Sequence, residues 1–143
     1  MKYDNKDLIS LINELDQELR DNFEDLQDTY NQFNSLKPLS YIIIYYGNNL
    51  PIACGSFKKY SEEIVEIKRM YVTKAHRGKG ISKIILNELE KEAIKQGFKK
   101  TRLETGDKLK AAVSLYEKSA YRRIPNYDQY KGMKTSLCFE KSL

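Results

Sequence analysis

Cysteine, histidine and long apolar runs are all scarce in this chain of 143 residues. The two cysteines, Cys54 and Cys138, lie far apart, and neither has a second Cys or a His at ligand spacing. No zinc or other metal site is therefore expected, and both thiols read as buried strand residues of an intracellular protein. The single histidine, His76, reads as structural. The longest apolar run, Tyr41-Ile42-Ile43-Ile44-Tyr45-Tyr46, is far too short to cross a bilayer, so no membrane partner is expected. No basic-then-apolar-then-small pattern opens the chain, and the expectation is a cytoplasmic protein without a secretory leader. Repeats, low-complexity tracts and linkers are missing too. One domain spanning residues 1–143 follows from that and from the length.

What is present is an ordinary globular balance, with 41% hydrophobic and 31% charged residues. The net charge of +5 is modest and suits an anionic ligand. The lysines are dispersed and interleaved with glutamates rather than gathered on one face, which argues against a nucleic-acid partner.

The most informative stretch runs from Glu66 to Lys83. Glu66 to Val72 alternates as a strand, with Ile67, Arg69 and Tyr71 set against Lys68, Met70 and Val72. After Gly80 the period changes, and Ile81, Ile84, Ile85, Leu86, Leu89, Ala93 and Ile94 fall at helical spacing. Gly78 and Gly80 stand where strand becomes helix. Two glycines there let backbone N–H groups face outward, and the helix N-terminus adds partial positive charge. Arg77, Lys79 and Lys83 add full charges. Such a turn suits a phosphate or pyrophosphate. It is not the dinucleotide fingerprint, because Lys83 occupies the third glycine position, and the spacing of a Walker loop is absent.

The remaining elements follow in order. Asp4 to Arg20 forms an amphipathic helix capped by Asp4, with Leu8, Ile9, Leu11, Ile12, Leu15 and Leu19 on one face. A second helical stretch runs from Phe23 or Glu24 to Phe33, and Lys37-Pro38 breaks it. Strands are expected over Leu39–Tyr46, Pro51–Tyr60 and Ile64–Thr73, joined by turns at Gly47-Asn48-Asn49 and Ser61-Glu62-Glu63. The helix from Gly80 ends near Gln96 with Gly97 as its left-handed cap. A strand over Lys99–Thr105 runs parallel to its predecessor because a helix connects them. Asp107 caps a helix from Lys108 to Ser119, and a last strand covers Ser136–Lys141.

Two motifs carry a family resemblance. Arg77-Gly78-Lys79-Gly80-Ile81, after a strand ending Met-Tyr-Val, resembles the acetyl-CoA pyrophosphate loop of the GNAT superfamily of N-acetyltransferases. Its first position is occupied by Ala75, or, read from Arg77, its last by Ser82. Ser114 to Tyr121 resembles the family's Leu-Tyr-Glu-Lys-x-Gly-Phe/Tyr signature, with Ala120 replacing the glycine. The resemblance covers roughly Leu39 to Phe139. It implies an α/β (α+β) GNAT fold, whose central mixed, mostly antiparallel sheet is flanked by helices and splayed around an acetyl-CoA site. It also implies cofactor contacts from Met70, Tyr71, Val72, Arg77, Gly78, Lys79, Gly80, Ile81, Ser82 and Lys83.

Amide formation from an amine and a thioester needs a deprotonated amine, a stabilised oxyanion and a protonated leaving thiolate. By resemblance Tyr116 is the acid beside the thioester sulfur. Its phenol, with an ordinary pKa near ~10, keeps its proton at neutral pH. Glu66 aligns with the strand glutamate that some family members use as base, directly or through water. The alternative is an ordinary strand carboxylate paired with Lys68 or Arg69. A backbone N–H near Met70 to Val72 would meet the oxyanion. The expected reaction is direct attack, in a ternary complex with acetyl-CoA, by a small primary amine. Arg122, Arg123, Lys131 and Lys134, with Tyr127 and Tyr130, would suit an acceptor bearing a carboxylate or phosphate, such as a free amino acid. Two rivals stand beside this: a non-catalytic CoA-binding regulatory module, and a transferase acting on a protein amine. The sequence leaves a homodimer open.

Overall fold

A computed structural model describes residues 5–22 and 39–143 of the chain. The helix α1 spans Lys6–Asn22. Asn5 caps it, its Oδ1 accepting from the N–H groups of Asp7 and Leu8 at 2.9 and 3.2 Å. The cap thus falls one residue beyond Asp4, which lies outside the described residues. Leu8, Leu11, Ile12 and Leu15 bury one helical stripe against Ile42, Cys54 and Tyr71. The helix expected from residue 23 to 33, and the break at Lys37-Pro38, also lie outside the described residues.

An antiparallel meander follows: β1 (Tyr41–Gly47), β2 (Leu50–Lys59) and β3 (Ile64–Val72). Asn48 and Asn49, with φ of 51° and 67°, make the β1–β2 turn. Both central residues are left-handed, which matches the twist of the strands, and asparagine tolerates that conformation. The helix α2 (Ile81–Lys95) crosses to β4 (Lys100–Gly106), then α3 (Lys110–Lys118), a short β5 (Arg122–Ile124) and β6 (Ser136–Ser142). The strand order is β1-β2-β3-β4-β6-β5, and among the described residues only the β3–β4 pairing is parallel. This is the expected α/β class with a mixed, mostly antiparallel sheet. Phe57, Val65, Ile67, Ile85, Leu86, Leu89, Leu103 and Phe139 form the larger core with α2. The smaller core lies under α1 on the other face.

α2 ends as its sequence indicates. Gly97 has a φ of 92°, Phe98 N–H reaches Ala93 O at 3.0 Å, and Gly97 N–H reaches Ile94 O at 2.9 Å. α3 begins later than expected, at Lys110, with Leu109 in the cap position and no side-chain cap. Asp107 does not cap it. Its N–H instead bonds Thr135 O at 2.9 Å, tying the end of β4 to the start of β6.

Two irregularities in β3 shape the site. Cys54 of β2 pairs with Tyr71 but Ser56 pairs with Lys68, so β3 carries one extra residue. Arg69, at a φ of 56°, absorbs it. Strict alternation would put Ile67 and Tyr71 on one face; across the bulge Ile67 packs with α2 and Tyr71 with α1. The second irregularity is at the parallel edge. β3 and β4 pair only over Ile64–Glu66 and Lys100–Arg102, then part.

Candidate active site

The cleft opens where β3 and β4 separate. Its volume is about 530 Å³, and its wall includes β3 from Ile67 to Val72, the turn into α2, the end of β4 and one side of α3. Beyond Glu66 no residue of β3 pairs with β4, so the backbone groups on that edge face the cleft.

At the turn, Gly78 and Gly80 have φ of 78° and 79°, and nothing beyond the glycine and its chain neighbours lies within 4 Å of where a Cβ would stand on either. Gly80 is the N-cap of α2, and Ile84 N–H to Gly80 O is the helix's first hydrogen bond. The N–H groups of Ile81, Ser82 and Lys83 therefore have no helical partner. They sit at the positive end of the helix dipole, which is a ready anion cradle. Arg77 is used differently. Its Nε donates to Val72 O at 2.8 Å, and its Nη2 lies 2.9 Å from a Glu18 oxygen. The guanidinium fastens α1 to the strand while still lining the cleft. His76 Nδ1 lies 2.8 Å from Thr73 Oγ1, a contact within the turn, and the residue also lines the cleft.

Tyr116 and Glu104 both line the cleft. Tyr116 is 5% exposed, lines the cleft, and packs edge-on to Tyr121 and against Phe139. Burial, then the charge of Glu104, push its phenol above the ordinary value, so it stays protonated at neutral pH. Glu104 comes from the carboxyl end of β4. Its Oε2 is buried with no hydrogen-bond partner. Burial pushes its carboxyl up to about 7, against the opposing pull of a Ser136 hydrogen bond and Lys68. An orphaned carboxylate oxygen poised near neutrality can accept a proton.

Glu66 is placed elsewhere. It is 2% exposed and does not line the cleft. Tyr127 donates to its Oε2 at 2.5 Å, and Lys58 and Lys68 lie 3.6 and 3.8 Å from its Oε1. Of the two partners the sequence suggested for it, Lys68 is one; Arg69 instead turns to Asp16 at 2.6 Å. Among the expected cofactor contacts, Met70, Tyr71, Val72, Arg77, Gly78, Gly80, Ile81, Ser82 and Lys83 line the cleft, and Lys79 does not. Arg122, Arg123, Lys131 and Lys134 are exposed and line none of it. Glu104 escaped the sequence reading. The available signal was its place near the carboxyl end of a parallel strand, where α/β sheets gather their ligands.

The profile of the acetyltransferase (GNAT) family matches residues 8–121. The chain belongs to the GNAT family. In that fold the turn with its two left-handed glycines, the parted strands and Tyr116 border one cleft, and the open cradle at Gly78 and Gly80 has room for a pyrophosphate. YsnE of Bacillus subtilis, an uncharacterised N-acetyltransferase, is 30% identical over 92 residues, 63% of this chain and 61% of that protein. YjgM of Escherichia coli, another uncharacterised N-acetyltransferase, is 39% identical over 62 residues, 43% of this chain and 37% of that one. The chain spans less than two thirds of the length of these two relatives. An IAA acetyltransferase of Azospirillum brasilense is 28% identical over 95% of this chain and 90% of its own. A Klebsiella pneumoniae structure described as an acyl-CoA N-acyltransferase superposes with a TM-score of 0.81 at 24% identity, covering 100% of this chain and 94% of that one. A GNAT acetyltransferase of Elizabethkingia anophelis, solved with acetyl-CoA bound, gives a TM-score of 0.66 at 19% identity over 81% of this chain and 82% of that one. These structural matches show the fold. No helix among the described residues is long and apolar enough to cross a membrane.

Proposed function

We propose that this chain transfers the acetyl group of acetyl-CoA to a small primary amine by direct attack in a ternary complex, as one cytoplasmic domain. One observation carries the reading. A dipole-backed N–H cradle, an unpaired strand edge, a buried phenol and a carboxylate with one unpartnered oxygen line the same cleft.

Bound acetyl-CoA supplies an already activated acyl group, so the protein needs no nucleophile of its own. The first turn of α2 holds the pyrophosphate through backbone N–H groups. The free edge of β3 near Met70 to Val72 orients the pantetheine arm and offers an N–H to the acyl oxygen. Glu104 takes the proton from the amine. Tyr116 gives its proton to the departing sulfur. We assign the base to Glu104 in preference to Glu66, whose two oxygens already serve Tyr127, Lys58 and Lys68. The acceptor reading is a small amine. A free amino acid remains one member of that class, without Arg122, Arg123, Lys131 and Lys134 as its recognition.

A free-thiol release assay with acetyl-CoA, run against a panel of amines and amino acids, tests this. Turnover on a small amine that collapses in Glu104→Gln supports it. Silence across the panel, with CoA binding intact by calorimetry, rejects the small-amine reading in favour of a protein acceptor or a CoA-binding module.

A further inference from the structure

The side of the cleft beneath α1 joins one carboxylate to apolar walls. Leu103 is buried in the core with α2, so the next residue of β4, Glu104, points to the opposite face of the sheet, where α1 packs. Its Oε2 has no hydrogen-bond partner. Leu15 and Leu19 of α1, and Leu109 at the cap of α3, line the same cleft. Leu15 belongs to the core under α1. Leu19 and Leu109 both pack on one cluster, the buried Tyr127, Tyr130 and Cys138, with Met133 beside them. Two leucines from distant parts of the chain thus meet over an aromatic backing.

Three cations of β3 and the turn after it also line the cleft, and each already faces a carboxylate. Arg69 stands 2.6 Å from Asp16, and Arg77 2.9 Å from Glu18. Lys68 stands 3.8 Å from Glu66 and donates to Tyr130 Oη at 3.1 Å. Those three carboxylate side chains are 20% exposed or less. An acceptor carboxylate would have to displace one of them, and would meet the charge of Glu104 as well. Lys83 and Lys110 line the cleft too, but they are exposed, on the first turns of α2 and α3.

We propose that the acceptor is a primary amine on an uncharged apolar body, an alkylamine or arylalkylamine, its body against Leu19 and Leu109 and its ammonium on Glu104. The inference rests on the small-amine reading above and narrows it. The ammonium brings the one charge that complements Glu104, and the molecule carries no anion for the cations already paired. The leucine wall gains from every apolar group that covers it. An amino acid is disfavoured by its carboxylate, and a diamine by a second ammonium that leucines cannot solvate.

Thiol release from saturating acetyl-CoA by the full chain, read on matched amines, tests this. Phenethylamine should exceed phenylalanine, the same body with a carboxylate added, by about tenfold or more in kcat/KM. Hexylamine should exceed the six-carbon diamine in the same sense. From butylamine to hexylamine kcat/KM should rise about fourfold per methylene, the gain from burying one such group. Leu19→Asn should flatten that rise, a change of slope that loss of stability alone does not produce. Should Leu19→Asn fail to fold, Leu109→Ala should flatten it in the same direction by less. Phenylalanine turned over as well as phenethylamine overturns the inference and leaves the small-amine reading standing. So does a flat methylene series in the wild type, or a slope unmoved in whichever variant folds. Silence on every amine rejects the small-amine reading, and the inference with it.

Discussion

At the residue scale the proposed chemistry turns on two side chains on different elements, and each carries a separate prediction. Tyr116→Phe removes one hydroxyl and leaves the ring contacts to Tyr121 and Phe139 in place. Turnover should fall by about 10² or more, the usual scale for a lost general acid, with CoA affinity by calorimetry nearly unchanged. An unaltered turnover would remove the acid role. Glu104 predicts two linked pH effects. Its midpoint of about 7 puts an acid limb on the rate, so turnover should fall as pH drops below 7. Its stability effect has a definite sign. The folded midpoint lies above the ordinary carboxylate value of 4.5, so stability is fully present below 4.5 and is lost as pH rises through 7. Each unit of displacement corresponds to about 1.4 kcal/mol. Glu104→Gln should therefore melt above the wild type at pH 8 and match it near pH 4, while losing activity. A variant that is less stable at pH 8 would contradict the burial of that carboxylate.

At the scale of elements the bulge in β3 decides which groups reach the cleft, and β2 must leave room for it. A Cβ on Gly55 would stand 2.5 Å from Ile85 Cγ2 and 2.6 Å from Met70 Sδ. Gly55→Ala should cost about 1–3 kcal/mol, the range for overpacking a well-filled core, read as a lower urea midpoint. Gly80 differs, because open space surrounds it and the constraint is its φ of 79°. Gly80→Ala should cost about 1–2 kcal/mol through backbone strain alone, and should weaken CoA binding as the first turn of α2 shifts. Calorimetry and thermal melts separate the two effects.

Across the whole molecule, α1 is held to the cleft by two ion pairs of unequal burial. Arg69 and Asp16 are 8% and 20% exposed at 2.6 Å, whereas Arg77 is 40% exposed. Asp16→Ala takes a carboxylate partner from the buried Arg69 charge and should cost about 1–3 kcal/mol. Because Leu15, Glu18 and Leu19 of α1 line the cleft, it should also loosen CoA binding. The exposed Lys59–Glu62 pair, 53% and 91% exposed, is the control, and Glu62→Ala should leave the melting temperature unmoved. Equal effects from the two substitutions would show that α1 is not seated by Arg69.

By itself the sequence determined α1, β1 to β4, α2, α3 and β6 in their order, though not the short β5, together with the turn at Gly78 and Gly80, the Gly97 cap and the candidacy of Tyr116. These rest on local rules: side-chain period, left-handed backbone geometry, and a short motif read along one helix. It could not determine the direction of Tyr71, because one extra residue at Arg69 inverts the faces of β3 and no residue type announces a bulge. Nor could it choose between carboxylates. Glu66 and Glu104 look alike in their strands, and only the assembled sheet satisfies Glu66 with Tyr127, Lys58 and Lys68. The same assembly leaves an oxygen of Glu104 unpaired in the wall of the cleft. Arg77, expected at the phosphate, lines the cleft and also reaches Val72 O and Glu18, a pairing across the chain that no local pattern announces. Partners brought together from distant parts of the chain are set by packing, and packing decides which polar groups remain free to react.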